Sequence, residues 1–177
     1  KKNEGELISS LGSSPLKPGE VMFLPYLSGE RTPHNNPKAQ GVFFGLRHEH
    51  GTKELTQAVL EGVAFAFGDC QQVLLDTGAE IDKVSLIGGG SKSHLWAQIL
   101  ASVLERPMIR HDSPEMGPAL GAARLAMLAS NNGSLEEICQ RPGIKEIIEP
   151  NLNYVSQYRQ NQERYRKLYR HLEEDFL

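Results

Sequence analysis

Val84-Ser85-Leu86-Ile87-Gly88-Gly89-Gly90-Ser91-Lys92-Ser93-His94-Leu95-Trp96 is the stretch on which the fold turns. Its first four residues form a run too short for a helix and apolar enough for a buried strand. A glycine triplet ends the run. Leu95, Trp96, Ile99, Leu100 and Val103 then recur at helical spacing. A strand that passes through glycines into a helix presents bare backbone amides at the end of the strand. The missing Cβ atoms leave room for a ligand, and the helix N-terminus favours anions. Ser91 or Ser93 can cap that helix or donate to a ligand. The triplet alone does not separate a ligand-binding turn from a tight β-α turn. It is neither a Walker loop nor a dinucleotide fingerprint, because the lysine and glycine spacings differ.

The same alternation continues on both sides. Pro107-Met108-Ile109-Arg110 reads as a second short strand, and a helix rich in small residues runs from about Glu115 to Ala129. Upstream, Leu55, Val59, Val63 and Phe67 recur every four residues, with Leu60, Ala64 and Val73 at nearby angles. This gives an amphipathic helix from about Thr52 to Thr77, with Thr52 as N-cap and Gly78 as stop. Residues 53–129 therefore read α-β-α-β-α, the order of crossover units in an α/β sheet. Two short strands precede them, Val21 to Tyr26 and Gly41 to Leu46, separated by a polar loop from Gly29 to Gln40. Residues 1–20 read as a loose lead-in, 21–130 as the α/β core and 131–177 as terminal helices. Ser134-Leu135-Glu136-Glu137 carries a capping-box pattern. The last helix spans about Asn153 to Glu174, with Tyr154, Tyr158, Tyr165, Leu168, Tyr169 and Leu172 on its inner side.

Composition narrows the function. Hydrophobic residues make up 39% of the 177 and charged residues 23%, enough for one cored domain, and the net charge is -3. An acidic balance argues against nucleic acid and anionic membrane surfaces as partners. No apolar run reaches the roughly 18–20 residues of a membrane span. Cys70 and Cys139 fit no metal or redox spacing, so two free thiols in a reducing, cytoplasmic setting are expected. Several local patterns have plainer explanations than chemistry. Asp76-Thr77-Gly78 matches one aspartic-protease loop, but that chemistry needs two, and a helix stop accounts for it. His48-Glu49-His50 lies in a polar loop with no further ligand cluster. No Gly-x-Ser-x-Gly elbow supports a hydrolase. The arginines of the last helix are diluted by Glu163, Glu173, Glu174 and Asp175, so a packed helix with a solvated basic face is expected rather than RNA binding.

Gly41, Phe43, Gly45 and Leu46, followed by Glu54, Leu55, Ala58, Val59, Leu60 and Glu61, fill a long spaced signature of small, apolar and acidic positions. In this signature the chain resembles the FGGY family of carbohydrate kinases. Leu24-Pro25-Tyr26-Leu27-Ser28-Gly29-Glu30-Arg31-Thr32-Pro33 is similar to the family's xylulokinase branch. The resemblance covers residues 20–130 well and the last helix more loosely. It implies a ribonuclease H-like fold of the actin and hexokinase type, with this chain as the C-terminal half of a two-domain sugar kinase, truncated at its N-terminus. It implies that Gly88, Gly89 and Gly90 line the adenosine-ribose or α-phosphate region, with Ser93 beside them. ATP and Mg²⁺ follow as cosubstrate and metal, and D-xylulose as sugar, with another ketopentose such as ribulose as the alternative. The family's general base is an aspartate of the first domain, so the resemblance implies no catalytic residue in this chain and no activity for it alone. A missing N-terminal kinase domain and a small-molecule sugar are the expected partners, and a homodimer is left open. The absent initiating methionine fits a piece of a longer protein. A non-catalytic assembly or regulatory module with the same fold is the competing reading. Val21 to Leu27 is expected to pack against sheet elements outside this chain. Glu30 and Arg31 are expected to hold the following loop through an ion pair, near an interdomain cleft.

Overall fold

The computed structural model describes residues 3–12, 16–112, 117–130 and 132–177. The elements run α1 Glu4–Ser9, β1 Met22–Pro25, β2 Gly41–Phe44, α2 Thr52–Asp76, β3 Val84–Leu86, a 3-10 turn Gly89–Lys92, α3 His94–Leu104, β4 Met108–His111, α4 Pro118–Ala129, α5 Leu135–Ile138, β5 Ile144–Ile148 and α6 Leu152–Leu172. β3 and β4 are parallel, joined through α3, as the crossover order predicts. β5 joins the far side of β4 antiparallel, so the sheet order is β3-β4-β5. That strand falls within the segment read as terminal helices. α1 also forms inside the lead-in, where Asn3 and Glu6 close a capping box. The start of the fourth helix at Glu115 lies outside the described residues; its first described turn opens at Pro118.

β1 and β2 form a separate antiparallel hairpin. Met22, Leu24 and Tyr26 enter the main core with Phe65, Tyr165 and Tyr169. The run from Val21 therefore packs on α2 and α6 within this chain, while Leu27 at its end is exposed. α2 is the spine. Gly51, not Thr52, is its N-cap, and its N–H donates to the Glu54 carboxylate at 2.8 Å. It stops at a Schellman motif, with Gly78 at φ +86° and the Ala79 N–H on Leu74 O.

The buried face of α2 differs from the stripe read in sequence. Ala58, Leu60, Glu61, Gly62, Ala64, Phe65 and Asp69 are buried, whereas Val59 is 36% and Phe67 52% exposed. Contact with β1 selects the small residues. A Cβ on Gly62 would lie 2.2 Å from Phe23 O, so only glycine lets helix and strand approach this closely. By length and composition α2 could cross a membrane, which the run-by-run reading of the sequence did not register. Its buried Glu61 and Asp69, each hydrogen-bonded from other elements, mark it as a core helix here. α6 packs Tyr158, Tyr165, Leu168 and Tyr169 inward, as its spacing predicts.

Candidate functional site

β3 ends at Leu86, whose partner across the parallel pair is Arg110. Gly88 follows at φ +83°, a conformation that side chains with a Cβ rarely adopt. Ser91 is 1% exposed, and its hydroxyl donates back to Gly88 O at 2.6 Å, closing the turn. Ser93 is the N-cap of α3, and its hydroxyl accepts the Trp96 N–H at 3.1 Å. Of the two serines able to cap the helix, Ser93 does so and Ser91 closes the turn. Gly90 sits against Trp96 Nε1, 3.0 Å from where a Cβ would lie. Around Gly88 and Gly89 a Cβ would meet nothing within 4 Å. At Gly89 neither a positive φ nor a neighbour in the chain demands glycine, so its bare backbone faces open space.

The turn is held from behind by a residue the sequence reading passed over. Arg110 Nε donates to Ser91 O at 2.7 Å and Nη2 to Lys92 O at 3.1 Å. Its Nη1 pairs with Glu146 at 2.7 Å, and Glu146 also lies 3.4 Å from His94 Nε2. Glu146 belongs to β5, the strand that was not foreseen. The available signal was position: Arg110 lies near the end of a strand parallel to the one that feeds the glycines. In front, α1 and the turn bound an open cleft of about 660 Å³, lined by Ile8 and Gly12 on one side and Gly89, Gly90, Lys92 and His94 on the other. Because β3 and β4 are parallel, their C-terminal ends lie at the same sheet edge.

The other candidates resolve into structure. Arg47 donates its N–H to His50 Nδ1 and lies within 4 Å of Glu20 and Glu49, so His48-Glu49-His50 is an arginine-tied loop. Among the described residues no group of three or more His, Cys, Asp or Glu side chains gathers as a metal site. Among the described residues, then, no such cluster offers a metal site, and no step through a metal is assigned to them. Arg159 pairs with Glu105, whose carboxyl it holds below the usual range, and Arg166 pairs with the buried Asp69. The basic residues of α6 are in part internal ties. Glu30 accepts the His34 N–H at 2.8 Å, so backbone contact replaces the expected pairing with Arg31.

Residues 2–130 match the family model described as FGGY family of carbohydrate kinases, C-terminal domain. The chain belongs to the FGGY family of carbohydrate kinases. It is 46% identical over 153 residues to the xylulose kinase of Escherichia coli K12, covering 86% of this chain and 32% of that protein. A solved structure from Brucella ovis, described as a xyloylose kinase, superposes with a TM-score of 0.86 at 43% identity, covering 96% of this chain and 36% of that one. The ligand-bound xylulose kinase of Lactobacillus acidophilus gives 0.82 at 26% identity over 99% and 36%. The chain thus spans about a third of the length of the curated relatives it matches, and shares its α/β architecture with one part of these sugar kinases.

Proposed function

We propose that this chain is the nucleotide-side domain of an ATP-dependent kinase acting on D-xylulose, with a ribonuclease H-like core. One observation carries the reading: a glycine turn at the C-terminal edge of parallel strands, open at Gly89 and clamped from behind by Arg110. Such a turn can take a ribose or phosphate against bare backbone, and Arg110 keeps that backbone from yielding. Gly88, Gly89 and Gly90 form the contact surface. Ser93 acts by capping α3, which fixes the turn, since its hydroxyl already accepts a backbone N–H. The xylulose kinases among its relatives support the sugar assignment. The base that takes the sugar's hydroxyl proton, and the groups that grip the transferred phosphate, belong to the part of such a kinase outside this chain. Val59 and Phe67, exposed along one stripe of α2, are where that part packs. A cytoplasmic location goes with the use of ATP.

The test is Gly89→Val in the full-length kinase. The ATP KM should rise about tenfold or more, with melting temperature unchanged, because the new side chain projects into open space. An unchanged ATP KM and kcat would make the turn purely structural. Residues 1–177 alone should release no ADP from ATP and D-xylulose. Turnover of about one per second, within the ordinary enzyme range, would place the catalytic groups inside this chain.

A further inference from the structure

The guanidinium of Arg110 faces two ways. Nε and Nη2 hold the carbonyls of Ser91 and Lys92, which fixes two successive peptide planes at the end of the glycine turn. Nη1 donates to Glu146 Oε2 at 2.7 Å. The Arg110 side chain is 13% exposed and that of Glu146 35%. A guanidinium shielded to this extent depends on its acceptors, and two neutral carbonyls leave its charge unbalanced. Glu146 supplies the opposite charge.

Strand pairing sets Glu146 up for this. It stands across from Arg110 in the antiparallel β4–β5 ladder. The register slips at the next step, where His111 pairs with Ile144 and Lys145 is left as the extra residue. Bulges of this kind re-aim side chains beside sites. The other oxygen of Glu146, Oε1, lies 3.4 Å from His94 Nε2, on the first residue of α3. One carboxylate therefore joins the clamp behind the turn to the helix that the turn opens.

We propose that Glu146 is a positioning residue for nucleotide binding, acting through Arg110 on the glycine turn; this rests on the nucleotide reading of that turn. The side-chain partners of Glu146 are Arg110 and His94, so its influence on a nucleotide is indirect. It also lies beyond the span 2–130 shared with the family model, so the family signature does not mark it. Without the carboxylate, the guanidinium turns toward other acceptors, the phosphates of a bound nucleotide among them, and releases the carbonyls of Ser91 and Lys92. The turn must then be ordered by the nucleotide itself, which weakens binding. A purely structural cross-strand pair would leave nucleotide affinity untouched and contribute little to stability.

Steady-state kinetics of the full-length kinase supply the test. Glu146→Leu should raise the ATP KM about tenfold, the scale of one charge-assisted hydrogen bond. Glu146→Gln keeps an acceptor for Nη1 without the charge and should raise it about threefold. The D-xylulose KM should hold in both. Arg110→Met should raise the ATP KM at least as far, and adding Glu146→Leu to it should change nothing further, since Glu146 acts through Arg110. An unchanged ATP KM in the Glu146 variants, equal rises in both KM values, or effects that add in the double variant would overturn the assignment. Should Glu146→Leu melt early, Glu146→Gln decides alone, by the presence or absence of its rise in ATP KM. Gly89→Val separates this proposal from the reading beneath it. If Gly89→Val raises the ATP KM and Glu146→Gln does not, the positioning role falls and the nucleotide turn stands; if neither does, both fall.

Discussion

Gly19 donates its backbone N–H to both carboxylate oxygens of Glu61, at 3.1 Å each, across 42 positions of sequence. Gln57 Nε2 donates to the same carboxylate at 2.8 Å and to Lys17 O at 2.7 Å, and the Tyr158 hydroxyl reaches it from α6 at 3.4 Å. Asn161 Nδ2 completes the strap by donating to Gly19 O. The segment that feeds β1 is therefore bound to α2 and α6 through one carboxylate that is 2% exposed.

Burial pushes the Glu61 carboxyl up from 4.5 to about 7, against the opposing pull of its hydrogen bonds from Gln57, Gly19 and Tyr158. The folded state thus holds a proton that the unfolded chain releases. The contribution to stability is fully present below pH of about 4.5 and is lost as pH rises through about 7, a swing on the order of 3 kcal/mol. Glu61→Gln should flatten the fall in stability between pH 5 and 8, read by urea denaturation at several pH values. An identical pH profile in the variant would mean that Glu61 stays ionised throughout.

Arg166 is the partner of an almost wholly buried Asp69, at 2.6 Å. Removing the cation strands the carboxylate, which typically costs about 3–5 kcal/mol. Arg166→Met should approach that loss. The double variant Arg166→Met with Asp69→Asn should recover much of it, because no buried charge remains. Equal losses in single and double variants would show that packing, not charge, is at stake.

Two glycines of helices should respond in opposite directions to alanine. At Gly62 the new methyl would strike the Phe23 carbonyl, so the roughly 1 kcal/mol helix preference for alanine is outweighed by overpacking of about 1–3 kcal/mol or more. At Gly121 in α4 a Cβ meets nothing within 4 Å and φ is not positive, so Gly121→Ala should stabilise by up to about 1 kcal/mol. Thermal melts of both variants check the pair. A neutral Gly62→Ala would mean that α2 can slide from β1.

The α-β-α-β-α order was legible because each period change falls within a dozen residues: Val84 to Val103 carries strand, glycines and helix in turn. β5 was not, since Ile144-Lys145-Glu146-Ile147-Ile148 follows Pro142-Gly143 with charges where an alternating pattern needs apolar side chains. Its role depends on Arg110, distant in sequence. The α2 stripe misled for a related reason. Periodicity weights large side chains, but close packing against β1 selects Ala58 and Gly62. The glycine turn was visible as a motif, while the guanidinium that fixes it becomes visible only when two parallel strands stand side by side.

The loop of residues 27–40 is anchored by aromatic contacts to α6. His34 stacks on Tyr169 with ring centroids 3.6 Å apart, and Asn36 Nδ2 donates to the Tyr169 hydroxyl at 3.1 Å. Tyr26 meets the same ring edge-on, and its hydroxyl accepts from Tyr165 at 2.7 Å. Tyr169→Ala should therefore cost about 3–5 kcal/mol, as large aromatic truncations in cores do. Arg31 is exposed and outside this cluster. Arg31→Ala should leave stability within about 0.5 kcal/mol. If the loop borders the sugar cleft of the full-length kinase, the same substitution should raise the D-xylulose KM at least severalfold, with the ATP KM unchanged. Paired melts and steady-state kinetics separate the two roles. A large loss of stability with unchanged kinetics would make Arg31 a folding residue and take the loop away from the cleft.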